Sequence, residues 1–78
     1  MLFRQFDTAV LLSDLPQHGL RAGDVGTVVE IYGEGGVEVE FVLPSGDTLA
    51  VLTLRTDAVR PLSDQDVFAV RSALESAG

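Results

Sequence analysis

The stretch "GLRAGDVGTVVEIY", residues 19–32, decides the fold of this chain, because it leads from a glycine-rich loop directly into a β-strand. Its second half, Val25–Tyr32, is rich in β-branched residues, which favour extended structure. We therefore predict a strand there, with successive side chains on opposite faces. One face takes Val25, Thr27, Val29 and Ile31, and the other takes Gly26, Val28, Glu30 and Tyr32.

The glycine-rich first half of this stretch has two interpretations, a phosphate cradle or a turn. A phosphate-binding loop needs a lysine followed by serine or threonine, or a helix whose N-terminus meets the phosphate. This loop has no lysine and opens a strand. We therefore interpret Gly23 and Asp24 as a turn. Gly26 is predicted to permit a bulge or the close approach of another backbone.

Four shorter predicted strands are separated by residues that favour turns. They cover residues 7–12, 37–43, 48–54 and 59–62, and Pro61 suits a strand at a sheet edge. Turns are predicted at residues 33–36 and 44–47, with a 3₁₀ turn at residues 55–58. The second of these strands alternates most clearly, with Val37, Val39, Phe41 and Leu43 inward and Glu38 and Glu40 outward.

The last sixteen or so residues differ in kind from the strands before them. Ser63 is a favourable helix N-cap, and Asp66 follows three residues later as in a capping box. Apolar residues then recur with helical spacing from Val67 to Leu74. The expected fold is mainly β: a small five-stranded barrel over residues 1–62, with residues 63–78 as a short C-terminal α-helix and tail of the same domain.

Charge and composition restrict the partners that the chain can bind. The 78 residues carry 12 acids and 5 bases, a net charge of -7, and contain no cysteine. An acidic surface repels nucleic acid and anionic membranes, and it suits a basic protein partner. The N-terminus resembles no signal peptide, and no apolar run is long enough to cross a bilayer, so we expect a cytoplasmic protein.

The sequence offers no recognisable catalytic or metal site. His18 is the single histidine, and no nucleophile is placed to pair with it. Glu30, Glu38 and Glu40 alternate on adjacent predicted strands, so we expect them to share an outer, solvated sheet face. A calcium or glycosidase site would need a cleft or a dedicated loop, for which a small barrel has little room. We expect neither enzymatic activity nor a cofactor.

A family resemblance enters through "DLPQHGLRAGDVGTVVE", followed by "EVEF", "GDTLAVLTL" and "LRTDAVRPL". These phrases resemble a family of small bacterial proteins known as domain of unknown function 4926. The loop and strand also resemble SH3-like barrels of the KOW kind and the barrel of the nitrile hydratase beta subunit. The resemblance implies an SH3-like barrel and a bacterial origin, and supplies no catalytic residues. KOW domains often contact RNA through basic loops, whereas this loop offers Arg21 among acids.

The predicted outer face is also partly apolar, and it leads to the functional hypothesis. Val28 is placed on this face beside the acids, and the strand over residues 48–54 is apolar on both sides. The C-terminal helix, a second copy or another protein could cover this surface.

The first hypothesis is a non-enzymatic protein-interaction module, for example an antitoxin or immunity partner of a basic protein. The alternative is a KOW-like barrel that binds nucleic acid or a small ligand with Arg21, His18 and Tyr32. The candidate partner-binding residues are Tyr32, Glu38, Glu40, Val42, Leu49, Val51 and Phe68, and the candidate loop contacts are His18 and Arg21.

Overall fold

The computed structural model describes residues 2–33 and 35–62 and arranges them as a five-stranded antiparallel sheet. The bounds of the strand Val25–Tyr32 agree with the sequence prediction, and those of the other four strands differ from it by one residue at one or both ends. The predicted C-terminal helix lies outside the described residues. The strands are β1 (Thr8–Leu11), β2 (Val25–Tyr32), β3 (Gly36–Val42), β4 (Thr48–Arg55) and β5 (Val59–Pro61), with 3₁₀ turns at Pro16–His18 and Thr56–Ala58.

The sheet is a meander whose last strand returns to its first. The strand order is β4-β3-β2-β1-β5, so β4 and β5 form the two edges of the sheet within the described ranges. β5 pairs with β1 through Ala9 and Pro61, which confirms an edge position for Pro61. No helix in residues 2–33 or 35–62 combines the length and apolar character needed to cross a bilayer.

The core lies on one face of the sheet, with members in β1, β2, β3 and β5, and Phe3 and Leu20 complete it from outside the strands. In β3, Val37, Val39 and Phe41 are buried as the alternation predicts. Leu43 is not buried, and that prediction is wrong: β3 ends at Val42, and a turn in which the Gly46 N–H donates to the Leu43 carbonyl carries Leu43 into solvent. Other members of the core are Phe3, Ala9, Leu11, Leu20, Val28 and Val59.

A β-bulge in β2 overturns the predicted position of Val28. The register runs from Val28 opposite Val39 directly to Glu30 opposite Glu38, so Val29 is an extra residue. An extra residue reverses the alternation of every side chain beyond it. Val28 is therefore fully buried rather than outward beside the acids, while Glu30 and Tyr32 still face solvent.

Gly26 lies where the sheet leaves no room for a side chain. A Cβ built at this position would lie 2.6 Å from Val39 Cγ1 and 2.9 Å from the carbonyl oxygen of Glu40. Real Cβ atoms do not approach other atoms so closely, so the predicted close approach of another backbone is confirmed at Gly26. The predicted alternative, a bulge, also occurs in this strand, three residues further on at Val29.

Candidate functional site

The glycine-rich loop uses its backbone amides to hold itself together. The amides of His18, Gly19 and Leu20 donate to carbonyls within the loop. The Arg21 amide donates to Asp24 Oδ2 at 2.8 Å, and the Ala22 amide donates to Asp14 Oδ1 at 2.9 Å.

The remaining two amides of the loop are also occupied. The Gly23 amide donates to the Leu11 carbonyl at 2.7 Å, and the Asp24 amide donates to the Arg21 carbonyl at 3.0 Å. A phosphate cradle needs free amides that point at the anion. In this loop the carboxylates of Asp24 and Asp14 already accept two of the amide hydrogens. The loop is therefore a turn that packs against β1.

The predicted loop contacts His18 and Arg21 are exposed, and Tyr32 lies far from both of them. His18 and Arg21 both lie on the surface of the loop that precedes β2. Tyr32 lies at the other end of this eight-residue strand, about 20 Å away at the usual rise per residue. The structure therefore separates Tyr32 from the predicted loop cluster of Arg21, His18 and Tyr32.

Acidic side chains form ordered rows across the outer face of β2, β3 and β4. One row runs from Glu30 to Glu38 to Thr53. The next row runs from Thr27 to Glu40 to Val51. We call the surface made by Glu30, Tyr32, Glu38 and Glu40 the acidic face.

Hydroxyl groups hold two of these carboxylates in position. The Tyr32 hydroxyl donates to Glu38 Oε1 at 2.9 Å, and Thr48 Oγ1 donates to Glu40 Oε2 at 2.9 Å. The hydrogen bond to Glu38, followed by desolvation and the charges of Glu38 and Glu30, raises the pKa of Tyr32. The acidic face thus carries a negative potential at the Tyr32 hydroxyl.

The acidic face has no cationic partner within residues 2–33 and 35–62. Arg55 ends β4 close to this face, but its guanidinium binds both carboxylate oxygens of Asp57, at 3.1 and 2.8 Å. That hydrogen bond lowers the pKa of Asp57. The described arginine nearest in register to Tyr32 is therefore engaged by a different acid.

Exposed aliphatic side chains adjoin the acidic face at the end of β3 and on the edge strand β4. Val42, Leu49 and Val51 are 53%, 41% and 48% exposed, and we call them the apolar strip. The register passes from Phe41 opposite Ala50 to Val42 opposite Thr48, so Leu49 is a second extra residue. On the other side of β4, Leu52 and Leu54 pack against the core.

The structure thus gathers most of the predicted partner-binding residues on one surface. Tyr32, Glu38, Glu40 and Val51 lie on neighbouring rows, and Val42 and Leu49 continue the surface toward the β3–β4 turn. Phe68 lies outside the described residues. Among those residues, no group of three histidine, cysteine, aspartate or glutamate side chains is arranged to hold a metal ion.

Two structural features near the N-terminus were not predicted from the sequence. Phe6 is 71% exposed and has a φ of 73°, a left-handed conformation that is rare for a bulky residue. A cleft of about 240 Å³ lies between the N-terminal residues Leu2 and Phe3 and the β2–β3 hairpin. The aromatic and apolar residues of "LFRQF" are the signal that could have indicated them. The walls of the cleft include Leu2, Phe3, Ile31, Tyr32, Val37 and Thr56.

Comparison with known proteins finds one family. The family model described as domain of unknown function (DUF4926) matches residues 5–61, which include all five strands and the loop. No curated protein and no solved structure matches the chain.

Proposed function

This chain belongs to the DUF4926 family, and from that premise we propose that it is a non-enzymatic module that binds another protein. The observation that carries the proposal is the union of the acidic face and the apolar strip on one surface. Exposed aliphatic side chains supply affinity, and carboxylates that have no cationic partner among the described residues select a basic partner. The net charge of -7 supports the same selection over the whole chain.

The scaffold of the module is an SH3-like barrel. Support comes from the strand order, in which a four-strand meander is followed by a short strand that returns to β1. A sheet that turns back on itself in this way reduces the length of edge available for aggregation. The family resemblance favours the same description.

The most concrete form of the proposal is an immunity or antitoxin role in the bacterial cytoplasm. A basic toxin such as a nuclease would be neutralised by an acidic surface that also speeds its capture. The absence of cysteine suits a reducing compartment. A homodimer formed through the apolar strip is the competing assembly.

The test compares capture of proteins from the native host by three versions of the chain. The double variant Leu49→Ser/Val51→Ser removes most of the apolar strip. Leu12→Ser changes a similarly exposed leucine outside it and serves as the control. We expect the wild type and Leu12→Ser to retain the same basic protein, the double variant to lose it, and salt to release it.

Two results would contradict the proposal. One is a strictly monomeric chain that retains no specific protein. The other is a partner held equally well by the double variant and the control, because that partner would bind elsewhere.

A further inference from the structure

The two edges of the described sheet differ in how well they are protected. β5 has three residues, of which the last two are Arg60 and Pro61. Charged side chains, proline and short length are the usual devices that stop an edge from pairing with another chain. β4 has eight residues, and from Thr48 to Leu54 it contains neither proline nor a charge. β4 is therefore the edge that is open to strand addition.

The hydrogen-bond pattern identifies which groups of β4 point away from the sheet. Just beyond the strands, the Thr56 amide donates to the Gly35 carbonyl at 2.7 Å. Hydrogen-bonded and non-hydrogen-bonded pairs alternate in an antiparallel ladder. Counting back from that pair, the amides of Leu54 and Leu52 point to β3, and the amides of Thr53 and Val51 point outward.

The rows on the acidic face define what an added strand would meet. A residue opposite Val51 would lie beside an exposed aliphatic side chain. A residue opposite Thr53 would lie in the row that continues to Glu38 and Glu30. Glu38 is about 10 Å from that position, or two strand spacings. Thr53 is short, so a long cationic side chain can lean over it toward Glu38.

We infer that β4 is a docking edge for an extended segment of a basic protein, which adds as a sixth strand with an aliphatic residue opposite Val51 and an arginine or lysine opposite Thr53. This inference rests on the proposed function and names the chemistry of its partner. Main-chain hydrogen bonds to Val51 and Thr53 supply affinity, and the two side-chain positions supply specificity. A second copy of the chain fits less well, because it brings a further charge of -7 to the same edge.

The experiment uses the full chain and a short capped peptide in which valine and arginine are separated by one threonine. A peptide with glutamate in place of arginine is the control for charge. Amide hydrogen exchange is measured residue by residue with and without peptide. We expect the arginine peptide to slow exchange at Val51 and Thr53 and to leave Leu52 and Leu54 unchanged, since their amides already bond to β3.

Side-chain variants distinguish a local charge pair with Glu38 from general electrostatic attraction to the acidic face. Glu38→Gln should weaken the arginine peptide about two- to fivefold, as for one exposed charge pair. Glu40→Gln removes the same charge from the row of Val51 and should have a smaller effect. Equal losses from both variants, or equal binding of the glutamate peptide, would overturn the assigned register.

Other occupants of the edge give distinct outcomes. Slow amide exchange at Val51 and Thr53 in the free chain overturns the inference. Slow exchange that depends on protein concentration indicates a second copy on the edge, and slow exchange that does not depend on it indicates another segment of the same chain.

The proposed function and the docking mode can also fail separately. A host partner that needs Leu49 and Val51 but leaves the Val51 and Thr53 amides unprotected would keep the proposed function and remove strand addition.

Discussion

Gly26 shows how one residue fixes the spacing of two strands. Its missing side chain lets β2 approach Val39 and Glu40 of β3 more closely than any other residue type would allow. Gly33 provides the contrast, because a Cβ there would meet no atom within 4 Å and its φ is not in the positive region. Packing therefore requires glycine at position 26, whereas neither packing nor a positive φ requires it at position 33.

Gly26→Ala should destabilise the fold by about 1–3 kcal/mol, the usual cost of forcing atoms into a packed core. The Glu40 carbonyl cannot move aside as a flexible side chain could. Gly33→Ala should change the free energy of unfolding by less than about 0.5 kcal/mol. Urea denaturation of both variants measures the difference, and equal effects would contradict the packing described for Gly26.

Tyr32 is the only tyrosine in a chain without tryptophan, so its ionisation can be followed by tyrosinate absorbance. Its pKa should lie above the ordinary value of 10.0, and Glu38→Gln should lower it by removing the charge that the hydroxyl donates to. Because the pKa of Tyr32 is higher in the folded than in the unfolded chain, the protonated hydroxyl stabilises the fold. This contribution is complete below pH 10.0 and declines as the pH rises through the folded pKa. Glu40→Gln is the control. An unchanged pKa in Glu38→Gln would contradict the hydrogen bond.

At the scale of the element, β4 is a strand with two apolar faces that serve different purposes. Leu52 and Leu54 pack against the core, whereas Leu49 and Val51 are exposed beside the acids. A contiguous group of exposed apolar side chains is typical of an interaction site. The residues of β4 that we propose to bind a partner are therefore distinct from those that pack against the core.

A matched pair of valine-to-threonine substitutions tests this division. Val39 is fully buried in β3, and Val51 is 48% exposed in the neighbouring β4. Val39→Thr buries a hydroxyl in an apolar core and should cost about 1–3 kcal/mol. Val51→Thr should change stability by less than about 0.5 kcal/mol. Thermal or urea unfolding checks both, and a large loss in Val51→Thr would mean that Val51 belongs to the core.

At the scale of the whole molecule, charge decides which macromolecules can approach. The acids outnumber the bases by 12 to 5, and the arginines are scattered along the chain. The loop amides that a phosphate would use are occupied by carboxylates and carbonyls. We therefore expect that the resemblance to barrels of the KOW kind does not bring RNA binding with it, since function resides in the site and not in the fold.

We expect no retention of RNA or DNA by the full chain at about 50 mM salt, where electrostatic affinity for phosphate is high. Filter binding over a series of salt concentrations measures this. Binding that falls as salt rises, and that is abolished in Arg21→Ala, would instead support the KOW-like alternative. Binding of a basic protein partner should also weaken as salt rises, but it should depend on Glu38 rather than on Arg21.

The strands and turns could largely be predicted from the sequence because they depend on local chemistry. The alternation in residues 37–41 and the turn at residues 44–47 are each set by a few neighbouring residues. Phe6 could not be predicted in the same way. Its left-handed φ of 73° is compatible with a phenylalanine only because contacts from β2, including the Val28 carbonyl that accepts its amide hydrogen, hold the turn.

The sequence by itself determined the number of strands, the acidic charge and the family resemblance, because all three are properties of residue types in order. The tertiary structure decided which residues meet. The bulge at Val29 turned Val28 inward and kept Tyr32 outward beside Glu38, and a one-residue shift of this kind depends on pairing with β3. In the loop "GLRAGDVG", the Ala22 amide gained its acceptor only when the fold brought the Asp14 carboxylate to it. Both outcomes depend on contacts between residues distant in the chain, which no local pattern records.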